Sequence, residues 1–354
     1  MYKKYRNINY TLKKLVKQAI CLYFVLSRVS FVKVIASYFP KDAPHIIWIP
    51  KMQWAGGSIV KSMAMFSALS DLGVRIKIFS GKDIGRFYNK NIYLYLNNKY
   101  NIHGFSNYTF ILKSIVSQLE KQNNKVYPSS NDIAYWENKV FMYRQFKKKN
   151  IPHPKTKIIS INDEKINFKY PYLIKEDHSC GGKGVHKINN ETELKELING
   201  KDFQKNNRNF IVQELIDIRK DLRLTIVQDK VLGCYWRINT SKEWQKTSTK
   251  FGFTKISFEN IPSFIFDNVL SITKSLDLKM AAYDIVFKDD DVNNEFQILE
   301  VSPVHASNPK INNDYYLKNP GSFKKKLSLI KSNSYDYHLI DYTFKIYKAY
   351  LNDN

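Results

Sequence analysis

The pattern of apolar and polar residues divides the chain into strands and helices with recognisable ends. "HIIWI", residues 45–49, is an unbroken apolar run of strand length. It is followed by a helical stretch, "GGSIVKSMAMFSALSDLGV", closed by Gly73, and then by a second strand, "RIKIFS". Strand, glycine turn, helix and strand in that order predict a parallel βαβ unit. The Gly56-Gly57 pair at the head of the helix either offers free amides to an anion or serves only as a tight turn. A further helix is predicted over residues 138–149, with Asn150 suited to its C-terminal cap and Pro152 and Pro154 stopping it.

Beyond that helix the pattern becomes strand-like. "YPYLIK" and "GVHKI" are joined by a loop holding Gly181, Gly182 and Gly184, three of the chain's thirteen glycines. This predicts a hairpin flap whose amides fold closely over oxyanions, with Lys175 below it as a point charge. The loop is not GxxxxGK[ST] and no helix starts after it, which argues against a Walker-type phosphate loop. "FIVQEL", "DLRLTIV" and "VLGCYWRI" are three more strands, the last two split by the turn "QDK". "AAYDIVF" and "FQILEVS" each set one acid, Asp284 and Glu300, among strand-forming residues. Either acid alone reads equally well as a turn former or a lysine partner. Two on neighbouring strands beside a phosphate-covering loop suit Mg²⁺, because a buried carboxylate is costly without a cation. The carboxyl-terminal "YHLIDYTFKIYKAYL" carries aromatics at helical spacing, which predicts a terminal addition packed on the core formed by these preceding strands.

Composition narrows the reading. With 44% hydrophobic and 25% charged residues the chain is an ordinary globular protein rather than a disordered one. The net charge of +24 comes mostly from lysine scattered through the whole length, not from arginine gathered on one face. That argues against nucleic acid as the partner and favours anionic substrates or anionic membranes. Three widely spaced cysteines point to a reducing, cytoplasmic setting. Residues 1–40 hold eight basic side chains and no acid, around a charge-free run of ten, Gln18 to Ser27. About twenty apolar residues are needed to span a bilayer, so two readings stay open. One is an interfacial basic helix on the inner face of the membrane; the other is a helix packed on the protein's own core.

The order of these pieces resembles the ATP-grasp superfamily, within it the ribosomal-modification and glutathione-synthase-like branch of carboxylate–amine ligases. The likeness runs from Asn131 to Pro309. "ENKVFMYRQFKKKNIPHPKT" resembles the segment with the first nucleotide lysine, Lys139, and "YLIKEDHSCGGKGV" the second lysine, Lys175, with its flap. "IVQELI" resembles the adenine hinge, with Gln213, Glu214 and Leu215, and "KDLRLTIV" the stretch whose acid, Asp221, contacts ribose. "YDIVF" and "ILEVS" resemble the metal-binding strands, giving Asp284, Glu300 and Ser302 as metal residues.

The resemblance implies an α/β fold: an amino-terminal pre-ATP-grasp parallel-sheet domain over 41–130, and an ATP-grasp domain over 131–310. Its flap lobe covers about 155–215 and its catalytic lobe about 216–310, with a helical extension over 311–354. It implies ATP with Mg²⁺ or Mn²⁺, a carboxylate and an amine as partners, and amide formation through an acyl phosphate. The charge suggests a uronic-acid-containing surface polysaccharide precursor joined to an amino acid, while peptide or small-molecule acceptors fit equally well. Arg237, Arg223 and Lys250 are the candidates for steadying the reacting phosphate, Lys250 sharing a stretch with Gln245, Lys246 and Thr247. Two departures stand out: Glu176 replaces the usual proline after the second lysine, and Ser302 the usual metal-binding asparagine. They leave a rival reading open, a non-catalytic or regulatory ATP-binding protein at the membrane surface.

Overall fold

A computed structural model describes residues 31–40, 42–49, 58–81, 83–94, 108–163, 166–179, 182, 184–240, 254–293, 295–303 and 345–351. Residues 1–30, Gly56-Gly57, Gly181 and the 241–253 stretch with Gln245, Lys246, Thr247 and Lys250 lie outside them. The chain divides into two compact units, one drawn from 1–97, 115–127 and 320–354, the other from 98–114 and 128–319.

The first unit holds a parallel sheet of β1 (His45–Ile49), β2 (Ile76–Ser80), β3 (Asn91–Leu94) and β4 (Lys125–Tyr127), in the order β2-β1-β3-β4. All five residues of β1 are buried, as a strand covered on both faces requires. The helix Ser58–Asp71 makes the crossover from β1 to β2, and Gly73 leaves it at φ +75°, a conformation natural to glycine. Tyr347 and Tyr350, on the helix over 345–351, pack on this sheet against Tyr93 and Tyr127, at 5.1 and 4.2 Å between ring centroids. The aromatics do face a core, but that of the amino-terminal sheet, which corrects the expectation of a seat on the ligase core.

The second unit contains two antiparallel sheets. The smaller is ordered β5-β8-β6-β7, from β5 (Thr156–Ser160), β6 (Tyr172–Glu176), β7 (Val185–Ile188) and β8 (Asn209–Glu214). Tyr172, Ile174, Phe210 and Val212 bury one face of it with Phe203. The larger is ordered β11-β10-β9-β12-β13, from β9 (Lys220–Val227), β10 (Lys230–Asn239), β11 (Thr254–Ser257), β12 (Met280–Phe287) and β13 (Phe296–Ser302). Leu222, Leu224 and Ile226 alternate into its core with Tyr283, Ile285 and Ile298, against Ile265 and Val269 of the helix Phe264–Ser275. The intervening residues, Asp221, Arg223, Asp284 and Glu300, take the opposite face, as the two-residue period demands.

The helix Lys139–Lys148 belongs to the same core through Val140, Met142, Tyr143 and Phe146. Asn138 caps its start by accepting from the Phe141 amide at 3.2 Å. Asn150, at φ 52°, makes the left-handed exit expected of it.

Candidate active site

Two β-bulges assemble the polar face of the large sheet. The β9–β10 hairpin starts in simple register, Val227 opposite Lys230, and gains one residue at Leu232, so that Asp221 opposes Arg237. Without that extra residue Asp221 would oppose Trp236, whose side chain belongs to the core. On the other side, Ile285 opposes Ile298 but Asp284 opposes Glu300, so Leu299 is left over in β13. A one-residue slip sends a side chain to the other face, so this bulge is what sets the two acids side by side. Ser302 follows on the same side, opposite Ala282.

The acids and arginines on this face are bonded together. Arg237 grips Asp221 with both arms, Nε to Oδ1 at 2.7 Å and Nη2 to Oδ2 at 2.6 Å. The same Nη2 lies 2.8 Å from Asp284 Oδ2. Arg223 Nε is 2.9 Å from Asp284 Oδ1, an ion pair off the hydrogen-bond axis that leaves both atoms buried without a hydrogen-bond partner. Burial alone would raise the Asp284 carboxyl, but the Arg223 and Arg237 guanidiniums hold it below the ordinary aspartate value. Burial also opposes the charge on Arg237, yet Asp221 and Asp284 keep its pKa above the usual arginine range. Asp221, expected at a ribose, is 1% exposed and turned to Arg237.

The lysines stand differently. Lys175 projects from β6 beside Ile211 of β8, fully enclosed, with its Nζ 6.0 Å from the Tyr143 ring. No hydrogen-bond or ion-pair partner for its ammonium is found among the described residues. Burial, reinforced by Lys139, pushes its pKa down to about 8 against the pull of Glu300 and Asp284. The electrostatics of this one group therefore report that Lys139, Lys175, Glu300 and Asp284 share a neighbourhood. Lys139, also buried, donates to the Ser179 carbonyl and, at 3.1 Å, to the Ser179 hydroxyl.

The root of the flap is docked on the helix that carries Lys139. Asp177 Oδ1 accepts from the Val140 amide at 2.8 Å, and His178 Nδ1 lies 2.8 Å from the Glu137 carbonyl. Gly182 and Gly184 have φ of +73° and +60°, and a Cβ on Gly184 would sit 2.8 Å from the Ser179 side chain. Glu176 has a local reason to stand where a proline is usual. Its amide donates to the Gly184 carbonyl at 2.8 Å, a bond that proline cannot make. Its carboxylate meets His186 Nε2 at 2.8 Å, and this contact holds its pKa below the ordinary glutamate value.

The expected hinge residues lie at the end of β8. Glu214 accepts from the Lys155 amide through Oε1 at 2.6 Å, and Leu215 follows, half-buried. Gln213 is turned inward, its Nε2 donating to the hydroxyls of Tyr143 at 2.7 Å and Thr156 at 2.9 Å. Sequence reasoning passed over Tyr143, Asp177 and Ser179, although they lie within the stretches that carry Lys139 and Lys175. The bulge at Leu232 did leave a signal, Gly233 inside a strand.

The residues present fit a divalent cation with a phosphorylated ligand. Among the described residues no three histidine, cysteine or acidic side chains form a metal cluster. Mg²⁺ with phosphates needs only one or two carboxylates. Among the described residues, Asp284 Oδ1 is a buried oxygen without a hydrogen-bond donor, and buried Lys175 has no hydrogen-bond or ion-pair partner.

Residues 137–306 match the RimK-like ATP-grasp domain family. Among solved structures the chain is similar to D-alanine–D-alanine ligase from Bacillus anthracis complexed with ATP. Identity there is 15%, covering 86% of this chain and 97% of that one, with a TM-score of 0.53. It is similar to a RimK domain ATP-grasp protein from Sphaerobacter thermophilus DSM 20745, at 11% identity, 86% and 99% coverage, and a TM-score of 0.54. A third likeness is the D-cycloserine synthetase DcsG, at 9% identity, 81% and 99% coverage, and a TM-score of 0.54. No curated protein sequence matches. Residues 137–306 are thus similar to RimK-like ATP-grasp domains, and the chain has the ATP-grasp fold.

Proposed function

We propose that the chain is an ATP-dependent carboxylate–amine ligase working through an acyl phosphate. A substrate carboxylate oxygen attacks the γ-phosphorus and ADP departs; an amine then attacks the acyl carbon, phosphate leaves, and the amine proton is lost. The observation that carries this reading is the buried Lys175 ammonium, without a hydrogen-bond or ion-pair partner among the described residues and in the neighbourhood of the cross-strand acids. A cation removed from water at such cost is stable once an anion reaches it.

Lys139 and Lys175 hold the α- and β-phosphates, and the hairpin rooted at Gly182 and Gly184 closes over them to exclude water. Asp284 and Glu300, with Ser302 nearby, hold Mg²⁺ or Mn²⁺, which neutralises phosphate oxygens when bound. Glu214 and Leu215 frame the adenine, Gln213 contributing backbone because its amide nitrogen is committed elsewhere. Arg223 and Arg237 steady the transferring phosphate, Lys250 is assigned to the same task, and Asp221 acts by orienting Arg237.

The net charge of +24 favours an anionic acceptor. A uronic-acid-containing glycan precursor and an amino acid are the proposed pair, with residues 1–40 as a contact to anionic membrane. No helix among the described residues is long and apolar enough to cross a membrane. Purified protein given ATP, Mg²⁺ and pooled amino acids, with or without uronic acids, tests the reading. ADP release that depends on an acceptor supports the ligase. Nucleotide binding without turnover under every mixture favours the non-catalytic ATP-binding alternative, to which Ser302 in the asparagine position points.

A further inference from the structure

Leu299 has no opposite number on β12, so the strand ladder alone does not fix its carbonyl. A side chain does. Tyr143 Oη donates to the Leu299 carbonyl at 2.8 Å and accepts from Gln213 Nε2 at 2.7 Å. The second Gln213 amide hydrogen goes to Thr156 Oγ1 at 2.9 Å, and that hydroxyl donates to the Pro154 carbonyl at 2.6 Å. Every hydrogen in this buried chain has one acceptor, so its direction is fixed from the hinge strand to the bulge. The flanking amides of β13 are held as well, Ile298 N by the Pro152 carbonyl at 2.8 Å and Val301 N by Met142 Sδ at 3.3 Å.

Glu300 sits between the bonds at 299 and 301. Were Leu299 to rejoin the ladder, the register of Ile285 with Ile298 would continue and Glu300 would oppose Tyr283, a core residue. We infer that Tyr143 and Gln213 are positioning residues that lock the Leu299 bulge and thereby hold the Glu300 carboxylate beside Asp284 for a divalent cation. This rests on the ligase reading for the identity of the ligand, but not for the geometry. The tyrosine hydroxyl reaches no substrate itself. It ties the strand that leads to the hinge to the strand that bears the acid.

The test is Mn²⁺ binding to the full chain, alone and with a non-hydrolysable ATP analogue, followed by electron paramagnetic resonance. Tyr143→Phe removes only the hydroxyl, with the bond it donates to Leu299 and the one it accepts from Gln213, and is expected to weaken Mn²⁺ roughly tenfold, as loss of the hold on the bulge implies. Analogue affinity in EDTA should stay within about twofold, because the lysines are untouched. Gln213→Met is expected to weaken Mn²⁺ to a similar extent, and the double variant to be no worse for Mn²⁺ than the weaker single. A merely structural pair would lower the melting temperature and leave the metal constant alone. Unchanged Mn²⁺ binding in folded Tyr143→Phe overturns the inference, as do additive effects in the double variant or a wild type that binds no Mn²⁺. A wild type that binds Mn²⁺ through Tyr143 but never turns over overturns the ligase reading alone.

Discussion

Two clusters of charge in the second unit invite comparison. On the large sheet, Arg237, Asp221, Asp284 and Arg223 satisfy one another, and each charge has its opposite within 2.9 Å. Around the flap sheet, Lys175 is also buried but has no carboxylate at contact distance among the described residues, and its pKa falls to about 8. The first cluster is a closed circuit whose parts hold each other in place. The second is an open one, and stability has been given up to keep it open. Burial alone therefore does not say what a charge is for; the difference lies in whether its counter-charge comes from the protein.

The contrast is most sharply broken by deleting one member of each cluster. Arg237→Ala removes the buried guanidinium that Asp221 and Asp284 share and should cost about 3–5 kcal/mol of stability, read as a lower denaturation midpoint at constant slope. A loss below about 1 kcal/mol would show that the circuit is not structural.

Lys175→Met should move the other way. The descent of its pKa from 10.5 to about 8 corresponds to a penalty on the order of 3 kcal/mol, so the free protein gains stability. Nucleotide affinity in the same variant should drop roughly 100-fold, and unchanged affinity would remove Lys175 from the site. The pH dependence follows in sign. Folded Lys175 gives up its proton near pH 8 while the unfolded lysine keeps it to 10.5. Stability of the free protein therefore rises between those values. Nucleotide binding, which needs the ammonium, weakens as pH rises through about 8, with proton uptake that calorimetry in two buffers can count.

Smaller effects sharpen the picture at the flap root. Gly184→Ala places a Cβ 2.8 Å from Ser179 at a φ of +60°, a strain worth about 1–3 kcal/mol. Because Ser179 holds Lys139, thermal melting and nucleotide affinity should fall together. Glu176→Ala breaks the half-exposed pair with His186 and a 3.4 Å bond from Asn207 Nδ2 and should cost about 0.5 kcal/mol, with little change in binding.

Much of this was legible in the sequence for a simple reason. A strand such as "HIIWI" announces its burial, Asn150 and the prolines after it announce a helix end, and "QDK" announces a hairpin. The lysines and acids stood in motifs whose order implied their meeting. The bulge at Leu299 was not legible, because one extra residue changes register without changing composition, and that at Leu232 left only Gly233 as a trace. Asp221 was consequently read as reaching for a ligand when its carboxylate is held by Arg237. The inward turn of Gln213 was hidden for another reason: its partner Tyr143 lies seventy positions away, on a helix that looked merely amphipathic.

The helix Lys139–Lys148 and the segment after it close off the outer margin of β13, meeting it at Ile298, Leu299 and Val301. A sheet normally ends in a row of unclaimed amides and carbonyls that any extended chain can zip onto. At these three positions the row is already occupied. An extended peptide arriving here finds no backbone to pair with, so whatever approaches the acids from this side must be chosen by side chains and charge, not by strand addition.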